Sequence, residues 1–350
     1  MRAMRSPTQT DDRFASARRW LDDIGLQGTV EVASADASFR RYFRCRLEQD
    51  WATQSGSTLR TGDTLVLMDA PPPQEDVGAF VRVTRQLAST GIPVPEVYAE
   101  NLEQGFLLLT DFGRRDLMHT LNRSPHSVDD WYRRAGDLLH QMQADPVGIA
   151  TELPPYDEAR LRQEMQLFVD WLCEVHLKIN WDDHLQQSWI ELTDALVRNA
   201  LQQPQVVVHR DFHCRNLMVV NGESLGVIDH QDAMFGPLTY DLVSLLRDCY
   251  IEWPLERVTQ WACEWMNASG VAQSVNETQR LRWFFLTGVQ RQLKAAGIFA
   301  RLAHRDGKMG YLGDVPRTLG YIIAIGDAYP ELRWIAEFIE SRCLTGLLND

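Results

Sequence analysis

The residues able to do chemistry concentrate between Val206 and Asp241. They run His209-Arg210-Asp211-Phe212-His213-Cys214-Arg215-Asn216, and a second aspartate, Asp229, follows Asn216 by 13 positions at the end of an apolar run. Phosphoryl transfer needs this donor set. One carboxylate accepts the proton of the attacking hydroxyl, and an amide oxygen and a second carboxylate hold Mg²⁺ on the nucleotide phosphates. Asp211 fits the first role, Asn216 and Asp229 the second, and hard oxygen ligands suit magnesium. His209 and Asp241 read as support. Asp241 precedes the apolar run Leu242–Leu246, where it fits a helix N-cap that also accepts backbone N–H groups of the loop. His213 and Arg215, inside the loop, are candidates for contacts to the acceptor.

These residues meet only if the chain turns back on itself. Leu217–Val220 and Leu225–Ile228 predict a hairpin around a four-residue turn, Asn221–Ser224, which returns Asp229 to Asn216 and Asp211. Val206–His209 supplies a strand before the loop. The rest of this half has helical apolar spacing, over Asp129–Gln143, Glu158–His176, His184–Gln203, Leu255–Ala268 and Gln279–Leu302. The first half differs. A helix over Arg13–Gly25 precedes β-type runs at Thr29–Ser34, Arg41–Leu47 and Thr64–Ala70. A helix over Asp76–Ser89 follows, then strands at Glu96–Ala99 and Gly105–Thr110. The expectation is an α+β protein with a small β-rich N-terminal lobe, residues 1–110, and a larger helical lobe, residues 111–350. The linker falls near Thr110–Gly113.

The 350 residues are 45% hydrophobic and carry a net charge of −13, which argues against general nucleic-acid binding. No apolar run reaches the roughly 18 residues of a membrane span, and the first 20 lack a signal-peptide core. The six cysteines form no CxxC pair. A cytoplasmic protein is expected, with no nucleic-acid, membrane or obligatory protein partner. Against this acidity, Arg280–Lys308 holds seven basic residues and one acidic, a local +6. On a continuous helix Arg291, Lys294, Arg301 and Arg305 share a face. That face suits an anionic substrate; a solvated helix face is the other explanation.

The set HRDFHCRN, VIDHQD and GPLTYDLVSLL resembles the aminoglycoside phosphotransferase and choline-kinase-like family. The resemblance implies a bilobal protein-kinase-like fold and dependence on ATP. A narrower resemblance is carried by Phe39-Arg40-Arg41-Tyr42-Phe43-Arg44, by Leu67-Met68-Asp69-Ala70-Pro71 and by the stretch Gly288–Phe299. It points to sugar kinases of cell-wall recycling that act on the anomeric hydroxyl of N-acetylmuramate and N-acetylglucosamine. An amino-sugar acceptor is therefore implied, with Arg291 and Lys294 as candidate contacts to its carboxylate.

The chain departs from the kinase pattern in two places. Met68 stands near the expected strand lysine, and the helix over Asp76–Ser89 holds no glutamate to pair with one. The loop Ser34–Arg41 lacks GxGxxG, leaving Ser38, Arg40 and Arg41 as a candidate phosphate clamp; a solvated arginine pair fits equally well. Thr110, Asp111 and Phe112 stand where adenine meets the backbone in this fold, though plain packing would give the same pattern. A kinase for an aminoglycoside or amino alcohol, or a nucleotide-binding pseudokinase, is the alternative.

Overall fold

In the computed structural model, residues 7–35, 39–53, 56–144 and 153–347 are described. The chain divides into two compact units, Met1–Arg114 and Arg115–Asp350.

The first unit is a five-stranded antiparallel sheet in the order β1-β2-β5-β7-β6. Its strands are β1 (Gly28–Ala35), β2 (Arg41–Leu47), β5 (Thr64–Asp69), β6 (Val97–Asn101) and β7 (Phe106–Thr110). Helix α1 is Pro7–Asp23 and helix α2 Val77–Ser89. Side chains alternate across a strand, so each strand feeds two cores. Phe43, Cys45, Leu65, Leu67, Phe106 and Leu108 pack with Ala17, Trp20 and Leu21 of α1. Met68, Leu107 and Leu109 pack with Val77, Phe80 and Val81 of α2. Asp76 caps α2, accepting from the Ala79 N–H at 3.0 Å. A small hairpin, β3 (Trp51–Ala52) with β4 (Thr58–Leu59), was not expected. Two-residue strands are too short to show a period of two.

The second unit is mainly helical. Helix α3 is Leu117–Arg123, α4 Val128–Gln143, α5 Glu158–Leu167 and α6 Asp183–Leu201. Further along are α7 (Tyr240–Leu246), α8 (Leu255–Ala268), α9 (Glu277–Asp306), α10 (Val315–Ile323) and α11 (Arg333–Phe338). The span read as one helix over Glu158–His176 changes at Phe168 into a π-helical stretch, Phe168–His176. Helix α9 meets it there. A Cβ on Gly297 would stand 2.3 Å from the Leu167 carbonyl carbon, so only glycine permits this approach. Helix α9 is one continuous element of 30 residues, capped by Asn276 and ended by Gly307 at φ 70°.

Between α6 and α7 lie two small antiparallel ladders. Strand β9 (Leu217–Val220) pairs with β10 (Ser224–Val227), and β8 (Gln205–Val208) with β11 (Met234–Pro237). Ser224 pairs with Val220, so the hairpin turn is three residues long, one fewer than expected. Strand β11 was missed because Gly236-Pro237 reads as a breaker; as a strand it closes the ladder that carries the loop between β8 and β9. Among the described residues no helix is long and apolar enough to cross a membrane.

Candidate functional site

The loop joining β8 to β9 holds His209, Asp211, His213, Arg215 and Asn216 in a shape fixed mainly through its backbone. Asp241, in the first turn of α7, is fully buried and accepts the N–H groups of His209 and of Arg210, the latter at 2.9 Å. Its bracing role holds, but the capping role does not. The helix begins two residues earlier than expected, with Thr239 as N-cap, and both Asp241 oxygens face the loop. Burial pushes the Asp241 carboxyl up to about 6, against the pull of His209 and the two N–H donors. A second brace was not foreseen. Asp248, also fully buried, accepts the Cys214 N–H at 2.9 Å and the Tyr250 N–H at 2.8 Å. Its seven-residue spacing from Asp241 is the signal that could have found it. His209 ties the loop to the strand that delivers Asp229: its Nε2 meets the Ile228 carbonyl at 3.0 Å, and its Nδ1 accepts the Asp211 N–H at 3.3 Å.

Within this frame the three predicted residues come together. Asn216 Nδ2 donates to the Asp211 carbonyl at 3.0 Å and reaches Asp229 Oδ2 at 3.5 Å. The amide nitrogen is thus committed, and Asn216 Oδ1 accepts no hydrogen bond among the described residues. Asp229 Oδ1 accepts from Gln231 Nε2 at 2.8 Å. Both Arg210, at φ 78°, and Asp229, at φ 63°, occupy the left-handed region, rare for non-glycine residues and concentrated at functional sites. Among the described residues no group of three or more His, Cys, Asp or Glu could hold a metal by itself. Asn216 Oδ1 and the Asp229 carboxylate are oxygen donors that could hold a cation only together with ligands from outside the chain, such as phosphate oxygens.

Two arginines, a lysine and an imidazole act on Asp211. Burial alone would raise its carboxyl, but Lys294, His213, Arg291 and Arg210 together draw it down to about 2. Arg291 and Lys294 of α9 are 5% and 7% exposed, which removes the solvated-face explanation for them. The farther pair is more open: Arg301 is half-buried, with its Nε buried and without a partner among the described residues, and exposed Arg305 is bonded to Asp306. Lys294 is not a bare cation as the sequence suggested. Its Nζ lies 3.2 Å from Glu164 and 3.0 Å from the Tyr240 hydroxyl. Arg291 has only Cys249 Sγ at 3.8 Å; its Nε is buried without a partner, and no carboxylate among the described residues pairs with it. His213 stands edge-on to Tyr250 with ring centroids 5.3 Å apart, its Nδ1 is buried without a partner, and burial lowers its pKa. Arg215 is exposed and lies over the Tyr250 ring at 4.5 Å.

In the first unit, Ser38 lies outside the described residues. Arg40 and Arg41 are not the solvated pair allowed for in the sequence. Arg40 pairs with Glu75 at 2.9 Å, and Arg41 Nε donates at 3.0 Å to buried Asp69, whose other oxygen takes Arg13. Met68 is fully buried against Val77, Phe80 and Val81, so an apolar contact fills the position of the lysine–glutamate pair. Thr110 Oγ1 accepts the Glu96 N–H at 3.0 Å. The Asp111 side chain is engaged by Arg44 at 2.9 Å and the Gly113 N–H at 2.9 Å. Phe112 is half-buried.

Residues 29–284 match the profile of the phosphotransferase enzyme family. An N-acetylmuramate/N-acetylglucosamine kinase of Pseudomonas aeruginosa is 43% identical over 95% of this chain and 97% of its own. One from Neisseria meningitidis is 36% identical over 91% of this chain and 93% of its own. A solved choline/ethanolamine kinase family protein from Mesorhizobium loti superposes with a TM-score of 0.61 at 15% identity, covering 96% of this chain and 99% of that one. An ADP-bound aminoglycoside phosphotransferase, APH(2'')-Ib, gives 0.57 at 15% identity, covering 87% and 96%. The fold is thus the two-lobed kinase-like one, and the chain belongs to the phosphotransferase enzyme family.

Proposed function

We propose that this protein is an ATP-dependent kinase that phosphorylates the anomeric hydroxyl of N-acetylmuramate and N-acetylglucosamine, as part of cell-wall recycling. The observation that carries the acceptor assignment is Arg291: a buried guanidinium with no carboxylate partner among the described residues, close enough to Asp211 to depress its pKa. A buried unpaired charge is costly unless a ligand completes it. A carboxylate-bearing sugar supplies that ligand, and a polycationic aminoglycoside does not. The names of the relatives support the same acceptors.

In this reading Asp211 accepts the proton of the anomeric hydroxyl as that oxygen attacks the γ-phosphoryl group of ATP. Its low pKa keeps it ionised across the working range. Asn216 Oδ1 and Asp229 would hold Mg²⁺, which offsets charge on the phosphates when bound. Arg291 orients the lactyl carboxylate of N-acetylmuramate, and His213 and Arg215 line the loop side of the acceptor. Thr110–Phe112 would offer backbone groups to adenine, and Ser38, Arg40 and Arg41 would steady the phosphates. The test is ATP consumption with the two sugars side by side, with the product examined for an acid-labile anomeric phosphate. Turnover of both sugars with such a product is expected. Turnover of an aminoglycoside or choline in their place would overturn the acceptor, and binding of ATP without turnover of any acceptor would favour a regulatory protein.

A further inference from the structure

Glu164 has no place in any motif, yet it sits behind the loop at the meeting point of two cations. It lies on the inward face of α5 beside Leu161 and Met165 and is 6% exposed. One oxygen pairs with Arg210, the residue before Asp211, and the other with Lys294 Nζ at 3.2 Å. The Tyr156 hydroxyl donates to the carboxylate and lies 3.2 Å from the Tyr240 hydroxyl, which Lys294 reaches at 3.0 Å. Arg210 holds a left-handed backbone, φ 78°, immediately before Asp211. Its N–H is held by Asp241 and its guanidinium by Glu164, so the strained residue is fixed at both ends. Two of the three N–H groups of Lys294 are likewise committed, whereas Arg291 three residues earlier has no carboxylate partner among the described residues.

We propose that Glu164 is a positioning residue for the transfer step. It locks Arg210, and through it the backbone of Asp211. By holding Lys294 it also leaves Arg291 as the cation on α9 that meets the acceptor's anion. The inference rests on Asp211 being the base. Two basic residues alike in the sequence thereby take different tasks, one inside the frame and one facing the ligand.

Glu164→Gln keeps the shape and removes the charge. In that variant kcat should fall about 10- to 100-fold with both sugars while KM for ATP stays within about twofold, because a displaced base costs rate more than nucleotide affinity. Amide hydrogen exchange over residues 209–216 should quicken by about tenfold, with residues 41–47 unchanged. The exchange measurement needs no acceptor, so it judges Glu164 even if neither sugar is turned over. Unchanged loop exchange in folded Glu164→Gln overturns the proposal. The double variant Glu164→Gln/Lys294→Met removes one charge of each sign. Its kcat should remain low because Arg210 is still unanchored; recovery to near the parent rate would make Glu164 a mere counter-charge and overturn the proposal. If Glu164→Gln does not fold, Tyr156→Phe loosens the same carboxylate without altering charge. It should lower kcat about three- to tenfold and quicken loop exchange; no change in either overturns the proposal.

Discussion

In the proposed mechanism Asp211 meets the acceptor hydroxyl and not the nucleotide, so its loss should separate chemistry from binding. Asp211→Asn is expected to lower kcat by about 10²–10⁴-fold, the usual weight of a general base, with ATP affinity unchanged. Retention of more than half the parent kcat would remove Asp211 from the mechanism. Arg291→Ala should raise KM for N-acetylmuramate by about one to two decades, since a charge-assisted hydrogen bond contributes about 1.5–3 kcal/mol. KM for the uncharged N-acetylglucosamine should stay near the parent value; equal effects on both sugars would assign Arg291 to the shared ring or acetamido group. At this scale Asp211, Asn216 and Asp229 were legible because a hairpin converts sequence spacing into proximity. Glu164 and Asp248 were not. Each acts across more than 30 positions of chain, Glu164 on Arg210 and Asp248 on Cys214, and no local pattern encodes such a partner. The available hints were an acidic residue on the apolar face of α5 and a second aspartate seven residues past Asp241. Lys294 was legible as a candidate contact to the acceptor, but its pairing with Glu164 was not, because that carboxylate comes from another helix.

At the scale of elements, strand β5 and helix α2 meet through an apolar contact instead of an ion pair. Met68→Lys would place an ammonium among Val77, Phe80 and Val81 with no carboxylate on α2 to receive it. Destabilisation on the order of 3–5 kcal/mol is expected, with no gain in kcat, and denaturant melts alongside turnover measure both. A rise in kcat would instead favour the nucleotide-binding pseudokinase alternative. Helix α5 offers a pH test. Burial works to raise the Glu164 carboxyl, but Lys294, Arg210 and Tyr156 outweigh it, leaving it below its ordinary value of 4.5. A depressed carboxyl stabilises the fold fully above its unfolded pKa and loses that contribution as pH falls through the folded one. The stability gap between the parent and Glu164→Gln should therefore be constant near neutrality and narrow below about pH 4.5; a constant gap down to acid unfolding would deny the ion pairs. Most helices and the five strands of the first unit were readable from period alone. The π-helical stretch was not, since its sequence keeps helical spacing and the change of pitch answers to the close approach of α9 at Gly297.

The whole molecule carries −13, yet the cation assigned to the acceptor is buried within it. Salt should separate that arrangement from a surface patch. Between about 0.01 M and about 1 M ionic strength the Debye length shrinks from about 30 Å to about 3 Å, which weakens exposed charges far more than buried ones. KM for N-acetylmuramate should stay within about twofold or fall slightly, as the long-range repulsion of an anion by an acidic protein is screened. A rise of about fivefold or more would place the anion contact on exposed cations such as Arg215 and Arg305.

The two aspartate braces have a consequence for how such a protein diversifies. Asp241 and Asp248 grip the N–H groups of His209, Arg210, Cys214 and Tyr250, and a backbone N–H is indifferent to the side chain it accompanies. The side chains at 213 and 215 are therefore free to be exchanged under selection while the loop keeps its path. Divergence toward a new acceptor then has a short route: the proton-accepting carboxylate stays in place, and only the side chains facing the incoming molecule need to be rewritten.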